Sequence, residues 1–235
     1  MGMNELDPDN VNWAEVLTGE VLLFGLLGKI LYTYPEESWL KPLFEDAIFE
    51  EAPFAGGHPD VIAGLALLTR LEEEYNRNTN GIINNLKLDY TRLFDHTDRI
   101  PVVPWESVYL STDNLLFQEE TLDVRHWYLT YGLEVTRKYK EPDDHIGLEL
   151  AFLAHLASLS LSAFEEGDKS KFEEMLSAQR RFLSAHPLMW MPTWCDLVKE
   201  HAHTDFYRGV ALVLRGALIE IAEILELEIP KGLVE

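Results

Sequence analysis

Residues 143–165 read DDHIGLELAFLAHLASLSLSAFE, and this stretch decides the fold class. Its apolar residues recur at helical spacing on more than one face, one made by Ile146, Leu150 and Leu153 and another by Leu148, Phe152 and Leu156. A helix that is apolar on several sides belongs in the interior of a protein. We therefore predict that this stretch is the central, buried helix of a helical bundle.

Helical patterns also fill most of the chain on either side of this stretch. The spacing predicts further helices at about residues 9–33, 36–49, 60–77, 82–94, 119–131, 169–184, 192–203 and from 205 onward. Pro- and Gly-rich breaks separate them, and only Ile100–Val103 has a short strand-like pattern. The prediction is an all-α fold: one globular domain, 1–235, of about nine to ten helices. The charged connector predicts a hinge at 134–143 between halves 1–133 and 144–235.

Composition excludes several classes of function. Lys and Arg number 19 against 41 Asp and Glu, a net charge of −22, which repels phosphate backbones and attracts basic peptides or cations. We therefore expect no nucleic-acid partner. Cys195 is the only cysteine, the N-terminus lacks a basic secretory signal, and the early apolar run is too short to span a bilayer. The expectation is a cytoplasmic protein without stable membrane insertion.

An irregular segment, RLFDHTDRIPVVPWESVYLS at residues 92–111, interrupts the helices. Pro101 and Pro104 fix their own backbone and keep the preceding residues out of the helical region, so residues 100–104 must be extended. Trp105 and Tyr109 follow at a spacing of four, on one face of a short helix. Such rings either anchor a peptide or plug the core beneath the loop, and the sequence leaves both interpretations open.

A second irregular segment, EPDDH at residues 141–145, precedes the central helix. Pro142 suits the first turn of a helix, where its missing N–H costs nothing, and acidic residues are stabilised at that end. His145 would then share a face with Glu149, a carboxylate that favours the charged imidazole. We predict that the two irregular segments together form a binding site on a helical scaffold.

Metal chemistry is the alternative interpretation of the second segment. Asp144, His145 and Glu149 have ligand-like chemistry, as do His155 nearby and the loose group of His201, His203 and Asp205. Metal sites in helical bundles need several such motifs from different helices, and only one half-motif is present. No metal ligand set, no cofactor and no catalytic residue is predicted. No phosphate-cradling motif is present either.

The quoted motifs resemble those of a known family. Pro104 to Leu110 reads PWESVYL after the Leu93-Phe94 pair, and Glu141 to His145 reads EPDDH with Gly147 and Glu149 following. In order and spacing these motifs are similar to those of the TorD/DmsD/NarJ group of redox enzyme maturation chaperones, nearest to the DmsD-like branch. The region from His186-Pro187 through Trp190 and Trp194 fits as well.

The resemblance implies an all-helical cytoplasmic chaperone that is not an enzyme. Its partners would be the twin-arginine leader peptide and the catalytic subunit of a molybdopterin oxidoreductase, held back until the cofactor is inserted. The implied oligomeric state is a monomer or a domain-swapped dimer. A metal-binding accessory protein, a hydrolase or a general protein-interaction adaptor stays the alternative. The implied peptide-binding residues are Leu93, Phe94, Pro104, Trp105, Ser107, Tyr109, Glu141, Pro142, Asp144 and His145.

Overall fold

The computed structural model describes residues 11–46, 48–49, 57–75, 77–95, 100–110, 119–134 and 142–230. These ranges hold ten helices and no strand, which confirms the all-α prediction. The helices are α1 (Trp13–Tyr32), α2 (Glu37–Glu45), α3 (Pro59–Tyr75), α4 (Thr79–Phe94), α5 (Glu106–Leu110), α6 (Glu119–Thr130), α7 (Ile146–Glu165), α8 (Lys169–Ala185), α9 (Pro187–His201) and α10 (Asp205–Ile224).

Helix α7 lies at the centre and packs against α1 and α8, as predicted. It is long and apolar enough to cross a membrane by length and composition, but 61% of that apolar window is buried inside the protein, as in a core helix. Helices α1 and α7 approach closely because two glycines meet: a Cβ on Gly28 would lie 2.9 Å from the carbonyl oxygen of Gly147. Gly64 and Gly209 allow the same close approach between α3 and α10.

Two predicted helix starts are wrong. The central helix begins at Ile146 rather than 143, because Asp143 and Asp144 form a turn, His145 is extended, and Asp144 O and Ile146 N hydrogen-bond to another segment. Helix α9 begins at Pro187, which occupies its first turn, and continues through Pro192, where the sequence predicted the start. A proline at the first position loses no hydrogen bond, so a Pro after a break can open a helix.

The first and last residues of α1 and α2 lie within four residues of the predicted bounds. Asn12, rather than residue 9 or 10, caps α1 by accepting from the backbone nitrogen of Glu15. Helix α2 stops at Glu45, four residues before the predicted end, with Asp46 as its C-cap.

One buried core joins the two predicted halves of the chain. Helix α1 from the first half packs on α7 from the second, and α3 packs on α10. Most of the predicted hinge, residues 135–141, lies outside the described residues, so the hinge stays a prediction.

Candidate functional site

The two irregular segments are joined backbone to backbone. Trp105 and His145 form an isolated antiparallel bridge, in which Glu106 N donates to Asp144 O (3.0 Å) and Ile146 N donates to Pro104 O (2.8 Å). We call this pairing of residues 104–107 with residues 144–146 the clasp. The sequence placed the two segments together, and the structure brings them into direct contact.

Asp144 connects the clasp to α6. The side chain is fully buried; Oδ2 accepts from Ser107 N (2.9 Å) and Oδ1 accepts from Thr121 Oγ1 (2.9 Å). Ser107 is itself fully buried. Asp144 therefore positions α5 and α6, and both of its oxygens are already occupied inside the protein.

His145 is the N-cap of α7 rather than a charged partner of Glu149. Its Nδ1 accepts from Gly147 N (3.0 Å), and its ring meets the edges of Tyr32 and Trp105, with centroids 5.1 and 6.0 Å away. Burial lowers the pKa of His145 to about 3, so the imidazole is neutral. The prediction of a charged imidazole is wrong because desolvation outweighs any carboxylate neighbour.

Pro142 is buried and precedes a turn at Asp143 and Asp144 ahead of α7, so the prediction that Pro142 opens the helix is wrong. Asp143 pairs with Arg125, and its carbonyl oxygen accepts from Tyr128 Oη (3.0 Å). The acidic residues therefore serve contacts with α6 instead of the dipole of α7. Glu141 lies outside the described residues.

The Leu93-Phe94 pair ends α4 inside the core. Leu93 is fully buried and Phe94 is 7% exposed, with its ring stacked on Trp194 at 5.7 Å. Contact between either side chain and a peptide would require the core to open, so their predicted role in binding stays a prediction.

The two aromatic side chains of the first segment differ in environment. Tyr109 packs on Trp190 (5.2 Å between centroids) and donates its hydroxyl to Val103 O (2.9 Å), and burial raises the pKa of that hydroxyl. Trp105 is half-buried, and its Nε1 makes no hydrogen bond to any described residue. Tyr109 thus supports the loop, whereas Trp105 keeps part of its ring exposed and has a buried donor without a hydrogen bond to a described residue.

An open groove of about 640 Å³ lies beside the clasp, and sequence reasoning missed it. Its lining comes from α5, α6 and the junction of α8 with α9. The residues are Glu106, Leu110, Glu120, Leu122, Asp123, His126, Ala185 and His186. We call it the acidic groove, because its described lining has three carboxylates and two histidines and includes no Lys or Arg.

Glu106 and His186 form the floor of the acidic groove. Glu106 is fully buried, and its two oxygens lie 2.9 and 3.0 Å from His186 Nδ1. His186 is 3% exposed, and its Nε2 lies 3.2 Å from Asp123 Oδ2, in an ionic contact without hydrogen-bond geometry. The floor therefore offers a buried ring nitrogen with no hydrogen bond to a described residue.

A second buried carboxyl lies behind the floor. Glu149 is fully buried and accepts from Trp190 Nε1 (3.2 Å). Burial, followed by the nearby charge of Glu106, raises the pKa of Glu149 well above its ordinary value; burial also raises the pKa of Glu106. The only sequence signal for this pair was a glutamate within each of the two quoted motifs.

Metal-ligand geometry is not formed by the predicted candidates. Among the described residues, no group of three or more His, Cys, Asp or Glu side chains is placed to hold an ion. Asp144, His145 and Glu149 each bond to a different partner. In the other predicted candidate group, His201, His203 and Asp205, the backbone nitrogen of His203 donates to Asp89 (3.0 Å). The hydrolase alternative is not favoured.

The described chain is all-helical and carries an open, acidic groove beside the clasp. The chain belongs to the family described as nitrate reductase delta subunit, whose family model matches residues 60–196. This confirms the resemblance to the TorD/DmsD/NarJ group.

Named relatives agree on the class. The chain is 30% identical to the chaperone protein TorD of Aliivibrio fischeri, over 55% of this chain and 59% of that one, which is less than two thirds of that relative's length. It is 26% identical to the Tat proofreading chaperone DmsD of Salmonella typhi, over 83% of this chain and 85% of that one. A crystal structure from Archaeoglobus fulgidus, of a protein provisionally assigned to redox enzyme maturation, aligns with a TM-score of 0.48 at 20% identity, over 83% of this chain and 91% of that one.

Proposed function

We propose that this protein is a cytoplasmic, non-enzymatic chaperone that binds the twin-arginine leader of an apo molybdopterin oxidoreductase and holds that enzyme for cofactor insertion before export. Membership of a family whose named relatives are chaperones supports the class. The protein would act as a monomer or a domain-swapped dimer. The acidic groove is the observation that carries the proposed mode of binding.

The groove is chemically complementary to two adjacent arginines. A guanidinium pairs best with carboxylates in a fork geometry, and Glu120 and Asp123 stand at the wall while Glu106 forms the floor. Leu110 and Leu122, which are 37% and 59% exposed, supply an apolar rim for the residues that follow in a leader. Trp105 lies at the clasp next to Glu106 and is half-buried, so the exposed part of its ring could pack on the peptide. The net charge of −22 would speed the encounter with a basic peptide.

The proposal changes the role of several predicted site residues. Asp144, His145, Ser107 and Tyr109 would hold α5, α6 and α7 in register, and the peptide itself would contact the groove and Trp105. Loss of these positioning residues would then weaken binding indirectly, by displacing the acidic wall.

Isothermal titration with a synthetic twin-arginine leader tests the proposal. We expect binding that weakens as salt rises and is lost when the two arginines become alanines. Equal binding of both leaders, or binding of neither, refutes it. Capture of bound chains from the native host, identified by mass spectrometry, would name the client and separates this function from that of a general adaptor.

A further inference from the structure

A second groove continues from the acidic one along α6 and α8. Its volume is about 620 Å³, and its lining residues are Asp123, Trp127, Arg180, Arg181, Ser184, Ala185 and Leu227. Asp123 and Ala185 line both grooves, so the two are continuous. We call the second one the basic arm, because Arg180 and Arg181 line it beside the shared Asp123.

The two arginines of the basic arm have no carboxylate partner among the described residues. Arg180 Nε donates to Leu225 O (3.1 Å), Arg181 Nε donates to Ser177 O (3.4 Å), and Arg181 Nη2 donates to Tyr131 Oη (3.4 Å). All three acceptors are uncharged. In a chain of net charge −22, two adjacent cations without an ion-pair partner among the described residues mark a place suited to an anion.

Aromatic contacts hold one of these cations in place. The guanidinium of Arg181 lies 5.2 Å from the centre of the Trp127 ring, which stacks on Tyr131 at 6.0 Å with planes 10° apart. Stacking on an aromatic face restrains a guanidinium and leaves its N–H edge free to bond. Arg181 is therefore positioned rather than loosely solvated.

The spacing of the two grooves fits one extended chain. On α6, Trp127, which contacts Arg181, lies one turn from Asp123 and two turns from Glu120. One to two helical turns is about 5–11 Å, the length of roughly two to three extended residues.

We propose that the basic arm binds a carboxylate side chain of the same client polypeptide, two to three residues from its arginine pair. The order of negative and positive groups along the continuous groove would then determine the direction in which the peptide binds. This inference rests on the proposed function, because the acidic groove must already hold the arginines.

The test is a coupling measurement between Arg181 and the peptide. Leader peptides carry one Glu, or Gln as the matched control, at each of two to three residues on either side of the arginine pair. Each is titrated against wild type, Arg181→Gln, and Arg70→Gln as a control at an exposed arginine that lines neither groove. We expect one Glu position to bind about three- to fivefold tighter than its Gln partner, and Arg181→Gln alone to abolish that difference.

The outcomes separate the two levels of the hypothesis. If no leader binds the wild type, the proposed function and this inference fall together. If leaders bind but no Glu position depends on Arg181, or if Arg70→Gln has the same effect, this inference alone is wrong. If inorganic phosphate at matched ionic strength competes with the leader through Arg181 while Glu and Gln peptides bind alike, the arm takes a free anion and the peptide proposal is overturned.

Discussion

Trp105 and His145 pair their backbones as an antiparallel bridge between a proline-rich loop and the start of the central helix. Because the bridge fixes α5, it also sets Glu106 against His186 at 2.9 Å and near Glu149. The two irregular segments are thus one structural unit, and the acidic groove is built on its edge. Changes in the clasp should act on stability first and on binding through it.

Removal of the Asp144 side chain tests the clasp. Asp144→Ala leaves Ser107 N and Thr121 Oγ1 without their acceptor in a buried site, which should cost about 2–4 kcal/mol. Urea denaturation measures the loss. Asp95→Asn, at an exposed position after α4, is the control and should change stability little. A stable Asp144→Ala variant would mean that the clasp does not depend on this carboxylate.

The glycine contact between α1 and α7 predicts a large effect from a single methyl group. In Gly147→Ala the new Cβ would lie 2.6 Å from Tyr32 Cβ and 2.8 Å from Gly28 O. The two helices would have to move apart, which should lower the free energy of unfolding by about 1–3 kcal/mol. Gly25→Ala is the matched control on α1, where a Cβ meets nothing within 4 Å; it should gain roughly 0.5–1 kcal/mol from helix propensity. Thermal unfolding distinguishes them, and equal shifts would contradict the close approach.

Buried Glu20 predicts a pH-dependent stability. Burial raises its pKa to about 8, opposed by a hydrogen bond from Gln179. The unfolded chain loses this proton near pH 4.5 and the folded chain near pH 8, so stability falls as pH rises between these values, by up to roughly 5 kcal/mol.

Glu20→Gln keeps the shape of the protonated acid and removes the titration. Its stability relative to wild type should increase steadily from pH 5 to pH 8, as measured by urea denaturation at each pH. Gln179→Glu is not a suitable control because it adds a second buried acid, so the wild-type profile serves instead. A difference that is the same at every pH would show that Glu20 does not titrate in this range.

Neutralisation of the groove wall tests the binding surface. Asp123→Asn, at a side chain that is 58% exposed, should weaken binding of a twin-arginine leader about two- to fivefold and flatten its salt dependence, with little change in stability. Glu173→Gln, on the exposed face of α8 and outside the groove, is the control of equal charge change. Equal effects of the two variants would mean that Asp123 contributes to binding only through the net charge of the protein.

The two aromatic residues should separate into one binding and one supporting residue. Trp105→Phe shortens the half-buried ring and should lower leader affinity while the far-UV helical signal persists. Tyr109→Phe removes the bond to Val103 O and should cost about 1 kcal/mol of stability without affecting affinity. Titration and urea denaturation of both variants decide the assignment, and the reverse pattern would exchange the two roles.

The sequence by itself determined the all-helical fold and the central position of α7, because a repeat of apolar residues such as Ile146, Leu150 and Leu153 is local information. It also determined that the two motifs belong together and which family they indicate. Only the tertiary structure decided the acidic groove, since Glu106, Asp123 and His186 come from three elements and no local spacing connects them. The neutral state of His145 and the raised pKa of Glu149 depend on burial, which is a property of the packed core rather than of the neighbouring residues.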